Sequence, residues 1–193
     1  MVLVGCGTVS EVTPTTDKEV DFRKYDRVLV LDFADGVSDK TKSGAQAKKK
    51  AEMAVRTKSF PDLIAIALGE KNVFKEVARS GNPDLQTLII SGTITRYSEG
   101  DAMGRLFVGF GAGSSYFDAR VVFSDGGTSN VLANQEVDKN SWVLGGGIAA
   151  TQTPDEFMHE AAKILAEDLS TAKLTGKLPV RSSAPPQNTG HHK

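Results

Sequence analysis

Residues 87–142 read TLIISGTITRYSEGDAMGRLFVGFGAGSSYFDARVVFSDGGTSNVLANQEVDKNSW, and this stretch decides the fold. Leu88, Ile90, Gly92 and Ile94 alternate with Thr87, Ser91, Thr93 and Thr95, the period of two that marks a strand with one face on a core. Phe117, Ala119, Val121 and Phe123 alternate in the same way with Tyr116, Asp118, Arg120 and Ser124. Asp125-Gly126-Gly127 then supplies the residues of a tight turn. Val131 to Val137 returns as the next strand, so the stretch predicts an antiparallel meander with one apolar and one polar face.

Upstream, the β-branched run Arg27-Val-Leu-Val-Leu-Asp-Phe33 is too short for a helix and predicts a buried central strand. Lys42 to Ser59 is rich in alanine and lysine and predicts an exposed helix with a thin apolar stripe. Phe60, Leu63, Ile64, Ala67 and Leu68 have the spacing of a core helix, with Pro61 in its first turn and Gly69 weakening its end. Val73 to Val77 reads as a short strand before the Ser80-Gly81-Asn82-Pro83 turn.

Downstream, Thr153-Pro154-Asp155-Glu156 combines a threonine cap, a proline at the first helical position and a capping-box glutamate. Phe157, Ala161, Ile164, Leu165, Asp168 and Ala172 continue the core face to about Lys173, and Gly176 lies just past the end. The fold expected is α/β in the α+β sense: one mixed, largely antiparallel sheet of about five strands, with two core helices and one exposed helix. The expected organisation is a lipoprotein-leader remnant at 1–6, a flexible tether at 7–24, a globular domain at 25–176 and a disordered tail at 177–193.

Charge is almost balanced, with 23 Lys plus Arg against 24 Asp plus Glu. No basic stripe is present to track nucleic acid, and aromatic residues are sparse. No run of about 18 apolar residues occurs, so no transmembrane helix is expected. Cys6 is the one cysteine, which excludes a disulfide within the chain and a cysteine-built metal cluster. Leu3-Val4-Gly5-Cys6 resembles the bacterial lipobox, in which a leader is cut before a cysteine that becomes lipid-modified. A charged region and a full apolar segment are then expected upstream. Gly7, where an inner-membrane retention signal would place aspartate, points to the outer membrane if the source is Gram-negative.

Chemistry-bearing residues are few. Gly109, Gly111 and Gly113 invite an anion-binding loop, but no Lys-Ser/Thr pair follows, and a strand follows where phosphate loops need a helix. Asp32, Asp35 and Asp39 lack the spacing of a calcium loop and read as turn residues. His159 is the one histidine through which a triad could be proposed, and it reads as a solvent-facing helix residue. Arg96, Arg105 and Arg120 are expected to pair with Glu99, Asp101 and Asp118 across strands. No catalytic constellation, metal site or cofactor is expected. Trp142 beside Gly145, Gly146 and Gly147 is the candidate partner surface, because tryptophan is most valuable when desolvated at an interface; the alternative is a core plug beside a strand.

Three segments, Ser91–Gly100, Gly109–Asp118 and Ser141–Thr153, together resemble the bacterial lipoprotein family called domain of unknown function 4410, over roughly Tyr25 to Leu174. The resemblance implies a lipid-bearing role for Cys6 and no particular activity. The strand-helix-strands-helix order is also similar to small α/β domains of envelope proteins, such as the TolB N-terminal domain and the curli secretion lipoprotein CsgG. The function expected is a membrane-anchored, periplasm-facing envelope lipoprotein that binds or scaffolds a protein partner. The alternative is a small-ligand binder or enzyme using the Gly109–Gly113 loop and Asp32.

Overall fold

The computed structural model describes residues 7–9, 13–15, 20–37, 43–99, 115–140 and 153–179. In chain order these form β1 (Gly7–Val9), β2 (Thr13–Pro14), a 3-10 turn (Phe22–Lys24), β3 (Arg27–Val30), β4 (Ala34–Asp35) and α1 (Ser43–Lys71). They are followed by β5 (Glu76–Ala78), β6 (Thr87–Ser98), β7 (Tyr116–Asp125), β8 (Val131–Asn140) and α2 (Pro154–Thr175). The sheet is mixed and runs β1-β8-β7-β6-β3-β5, with β2 added to β8 and β4 to β6. Antiparallel ladders join β6, β7, β8 and β1, whereas β3 is parallel to both β5 and β6.

Both helices cover one face of this sheet. Phe117, Ala119, Val121 and Phe123 of β7 are fully buried beneath them, alongside Leu88, Ile90 and Ile94 of β6. Phe60 of α1 meets Phe117 edge-on at 4.8 Å between centroids and Phe33 at 5.3 Å, the offset that ring quadrupoles favour. The Phe33 ring lies so close over β6 that a Cβ on Gly92 would run into it and into the Arg120 carbonyl. The opposite face carries Ser91, Thr93, Val122 and Asn134, half-buried, with Arg120 and Glu136 exposed.

The expected pair of helices on either side of Ser59 is one continuous helix, with Pro61 in its interior rather than in a first turn. A mid-helix proline orphans the carbonyl four residues earlier. Here that carbonyl, Thr57 O, accepts from the Phe33 backbone N–H at 2.9 Å, so the break in the ladder becomes a docking point for the link between β3 and β4. The helix also passes Gly69 and stops at Asn72, whose φ of 54° is a left-handed terminus. β5 lies slightly later than expected, with Val73 and Phe74 half-buried ahead of it.

The segment expected as a tether contributes structure. β1 pairs Gly7 with Lys139 and Val9 with Val137, and β2 pairs Thr13 with Asn134. An isolated Ser/Thr-rich segment cannot order itself, but β8 offers an edge whose free N–H and C=O groups supply the partners. The mixed, largely antiparallel sheet of about five strands expected is thus extended by β1 and β2 along the edge of β8.

α2 follows its sequence signals closely. The Glu156 N–H donates to Thr153 Oγ1 at 3.3 Å, the Thr153 N–H donates to the Glu156 carboxylate at 2.7 Å, and Gly176 closes the helix at φ 91°. Phe157, Ala161, Leu165, Leu169 and Ala172 are buried, and Ile164 is half-buried at the edge of the core.

Candidate functional site

The most informative chemistry gathers at one end of the sheet. β6 carries a bulge between Ile94 and Arg96, and the extra residue reverses the alternation beyond it. Arg96 thereby opposes Asp118 on the uncovered face, and Tyr97 opposes Phe117 on the helix face. Ser98, Tyr116 and Asn140 then stand in one row across β6, β7 and β8. The chain between Glu99 and Ser115, and between Asn140 and Thr153, leaves and re-enters the described fold at this end.

Each face of this end has a guanidinium stacked on a tyrosine. On the uncovered face Arg96 lies 3.8 Å over the Tyr116 ring and 3.6 Å from the Asp118 carboxylate. On the helix face Arg56 lies 5.2 Å from the Tyr97 centroid, pairs with Glu99 at 3.5 Å and donates to Asp155 in the first turn of α2. Arg56 thus ties α1, β6 and α2 together with charge-assisted bonds. Burial pushes the Tyr97 hydroxyl well above its ordinary range, and the carboxylates of Asp155 and Glu99 add to that shift. These groups can stack and hydrogen-bond, but they do not pair a nucleophile with a base.

Other titratable groups hold the fold. Asp125 is buried and accepts from the Tyr25 hydroxyl at 2.8 Å, Lys24 Nζ at 2.7 Å and the Thr128 N–H at 2.9 Å. Burial alone would raise the Asp125 carboxyl, yet the bonds from Lys24, Tyr25 and Thr128 hold it well below the carboxylate range. Asp168, expected on the core face, is buried and accepts from Gln135 Nε2 at 3.0 Å.

Of the acids singled out in the sequence, Asp32 accepts from Arg79, which also reaches Asp62 and the Val30 carbonyl. Asp35 accepts from the Val37 N–H at 3.0 Å, the turn role expected of it. His159 is exposed on α2. Arg120 pairs with Glu136 at 2.6 Å rather than with an acid of the expected group. Cys6, Gly109, Gly111, Gly113, Trp142, Gly145, Gly146 and Gly147 lie outside the described residues, as do Asp39, Asp101 and Arg105.

Among the described residues no three or more His, Cys, Asp or Glu side chains form a group able to hold a metal. A shallow recess of about 10 Å³, room for about one water, lies beside β3 and β5, lined by Arg27, Glu76, Ser80, Asn82 and Thr87. That is smaller than the roughly 300–1,000 Å³ of typical ligand sites. Arg27 bridges its rim to Glu76 at 2.8 Å and Asp84 at 3.0 Å. No helix among the described residues is long and apolar enough to cross a membrane. Sequence reasoning missed the Arg56 hub, whose partners Tyr97, Glu99 and Asp155 are far away in the chain.

A family model described as "Domain of unknown function (DUF4410)" matches residues 28–145. No curated protein matches the chain. Similar solved structures include a PelC dodecamer from Paraburkholderia phytofirmans, with 12% identity over 83% of this chain and 96% of that one and a TM-score of 0.48. A DUF330 protein from Xanthomonas campestris shows 14% identity over 88% of this chain and 94% of that one, with a TM-score of 0.44. A candidate lipoprotein from Caulobacter crescentus shows 14% identity over 83% and 96%, with a TM-score of 0.35.

Proposed function

We propose, from the premise that this chain belongs to the DUF4410 family, that it is a lipid-anchored domain of the bacterial cell envelope that works by binding or scaffolding a partner protein rather than by catalysis. The observation that carries this reading is the Ser98–Tyr116–Asn140 row. It collects at one end of the sheet the points where both glycine-rich segments join the fold, and two arginine-tyrosine stacks frame that end. Binding surfaces favour arginine and aromatic side chains of this kind. The partner surface proposed is Trp142 with Gly145, Gly146 and Gly147.

The anchor proposed is Cys6, on the strength of Leu3-Val4-Gly5-Cys6. Its thiol sulfur forms a thioether to the diacylglyceryl carbon of a phospholipid, the phosphate headgroup departs with the bonding pair, and the thiol proton goes to that phosphate. A periplasm-facing outer-membrane site follows from Gly7 in a Gram-negative source. Expressed from a gene with a complete leader, the wild-type protein is expected in the membrane fraction and Cys6→Ser in the soluble fraction. Equal membrane association of the two would refute the anchor.

The second reading, a small-ligand site at Gly109, Gly111 and Gly113 with Asp32, loses its proposed acid to the Arg79 pairing. A thermal-shift screen against nucleotides, sugars and metal ions separates the two readings. A true ligand at a hundred times its Kd stabilises by about 2.7 kcal/mol, whereas the binding-module reading expects no shift.

A further inference from the structure

The β1–β8 register fixes the end of the domain from which Cys6 departs. Gly7 lies opposite Lys139 and Val9 opposite Val137, so β1 begins where β8 ends. The pairs Tyr116–Asn140 and Ser98–Tyr116 extend that end across the sheet. One peptide separates Cys6 from Gly7, and consecutive Cα atoms are about 3.8 Å apart. We infer that the end of the sheet carrying Gly7, Ser98, Glu99, Tyr116 and Asn140 is seated on the lipid headgroups of the anchoring bilayer, with the turn from Asp125 to Asn130 facing away.

This orientation rests on the lipid anchor proposed above and adds to it a surface and its occupant. A tether spanning residues 7–24 would have an r.m.s. reach of roughly 25 Å and would present no preferred end to the membrane. Backbone pairing of β1 with β8 removes that slack. The chemistry of the end suits a headgroup layer: within their pairs with Asp118 and Arg56, the Arg96 and Glu99 side chains stay 54% and 65% exposed, so the end presents both signs of charge to zwitterionic groups. Tyr116 lies half-buried beneath Arg96, and tyrosine is enriched at the depth of lipid headgroups. At about 3.3 Å per residue, the ten residues of β7 hold the opposite end roughly 30 Å higher. A protein bound at the Gly7–Tyr116 end is consequently one that lies at or in the same membrane.

The test uses the full chain with a complete leader, acylated in cells and reconstituted into phosphatidylethanolamine and phosphatidylglycerol vesicles doped with a headgroup-nitroxide lipid. Because Cys6 is the one cysteine and acylation occupies its thiol, an introduced cysteine takes a thiol-reactive fluorophore alone. Glu99→Cys labels the end seated on the headgroups, and Asn130→Cys labels the far end; both positions are exposed. Asp138→Cys, exposed on β8 one residue inward from the Gly7 pair, repeats the first measurement at an independent position. Quenching at 99 and 138 is expected to exceed that at 130 at least threefold. Vesicle flotation with equal quenching at both ends, or stronger quenching at 130, overturns the orientation while leaving the anchor intact. Failure of the acylated protein to float overturns the anchor, and the orientation with it.

Discussion

Replacing Phe157 with alanine is expected to destabilise the domain by about 3–5 kcal/mol, the range for removing a fully buried aromatic side chain. Phe157 is 0% exposed, one turn into α2, and its N–H closes the first helical bond to Thr153 O at 3.1 Å. The cap fixes the register in which the helix meets the sheet, so neighbouring side chains cannot slide in to fill the void. Lost transfer energy and the cavity both contribute. Urea unfolding checks this through a lower midpoint at unchanged slope. A loss well under 1 kcal/mol would mean that the helix buries another face.

Asp125→Ala is expected to cost at least about 1–3 kcal/mol, because it strands the Tyr25 hydroxyl in the core without its acceptor. Tyr25 is 0% exposed, and both burial and the Asp125 carboxylate push its hydroxyl far above the ordinary tyrosine range. The same carboxylate accepts from the Gly127 and Thr128 backbone, so its loss also loosens the turn between β7 and β8. The pH dependence follows from the direction of the Asp125 shift. Its folded-state carboxyl lies below the unfolded value near 3.9, so its stabilisation is whole above about pH 4 and is lost as pH falls through the folded value. Asp26 adds to this acid limb: bonds from Lys173 and Lys75 hold its carboxyl down at about 2. Asp125→Asn should therefore flatten the decline in stability between roughly pH 4 and pH 2. An unchanged acid limb would place the linkage elsewhere.

Signals confined to a few neighbouring residues were legible in the sequence. The alternation of Phe117, Ala119, Val121 and Phe123 gave β7 its buried face, and Thr153 with Glu156 marked the start of α2 to the residue. What escaped depends on groups distant in the chain. Pro61 argues for a helix start until Phe33, between β3 and β4, donates to the orphaned Thr57 carbonyl. The Ser/Thr-rich segment near residue 7 shows no strand pattern, because the edge of β8 supplies its partners. The bulge after Ile94 reverses which of Arg96 and Tyr97 faces the helices, and Thr95 continues the alternation without a sign of it. Asp125-Gly126-Gly127 announced a turn, but nothing local announced that Asp125 would also hold Lys24 and Tyr25. For the site, the sequence pointed to Trp142 and the glycines. The arginine-tyrosine stacks at the end of the sheet beside Glu99 and Asn140 appear only once β6, β7 and α1 are assembled.

In-cell crosslinking of the anchored wild type and of Trp142→Ala, read by mass spectrometry beside the melting temperature of each, tests the binding role most directly. Trp142→Ala is expected to weaken a defined protein crosslink several-fold and to leave the melting temperature nearly unchanged, with red-shifted, readily quenched Trp142 emission in the isolated wild-type domain. A blue-shifted, protected Trp142 whose replacement unfolds the domain, or a crosslink of undiminished yield, would contradict it.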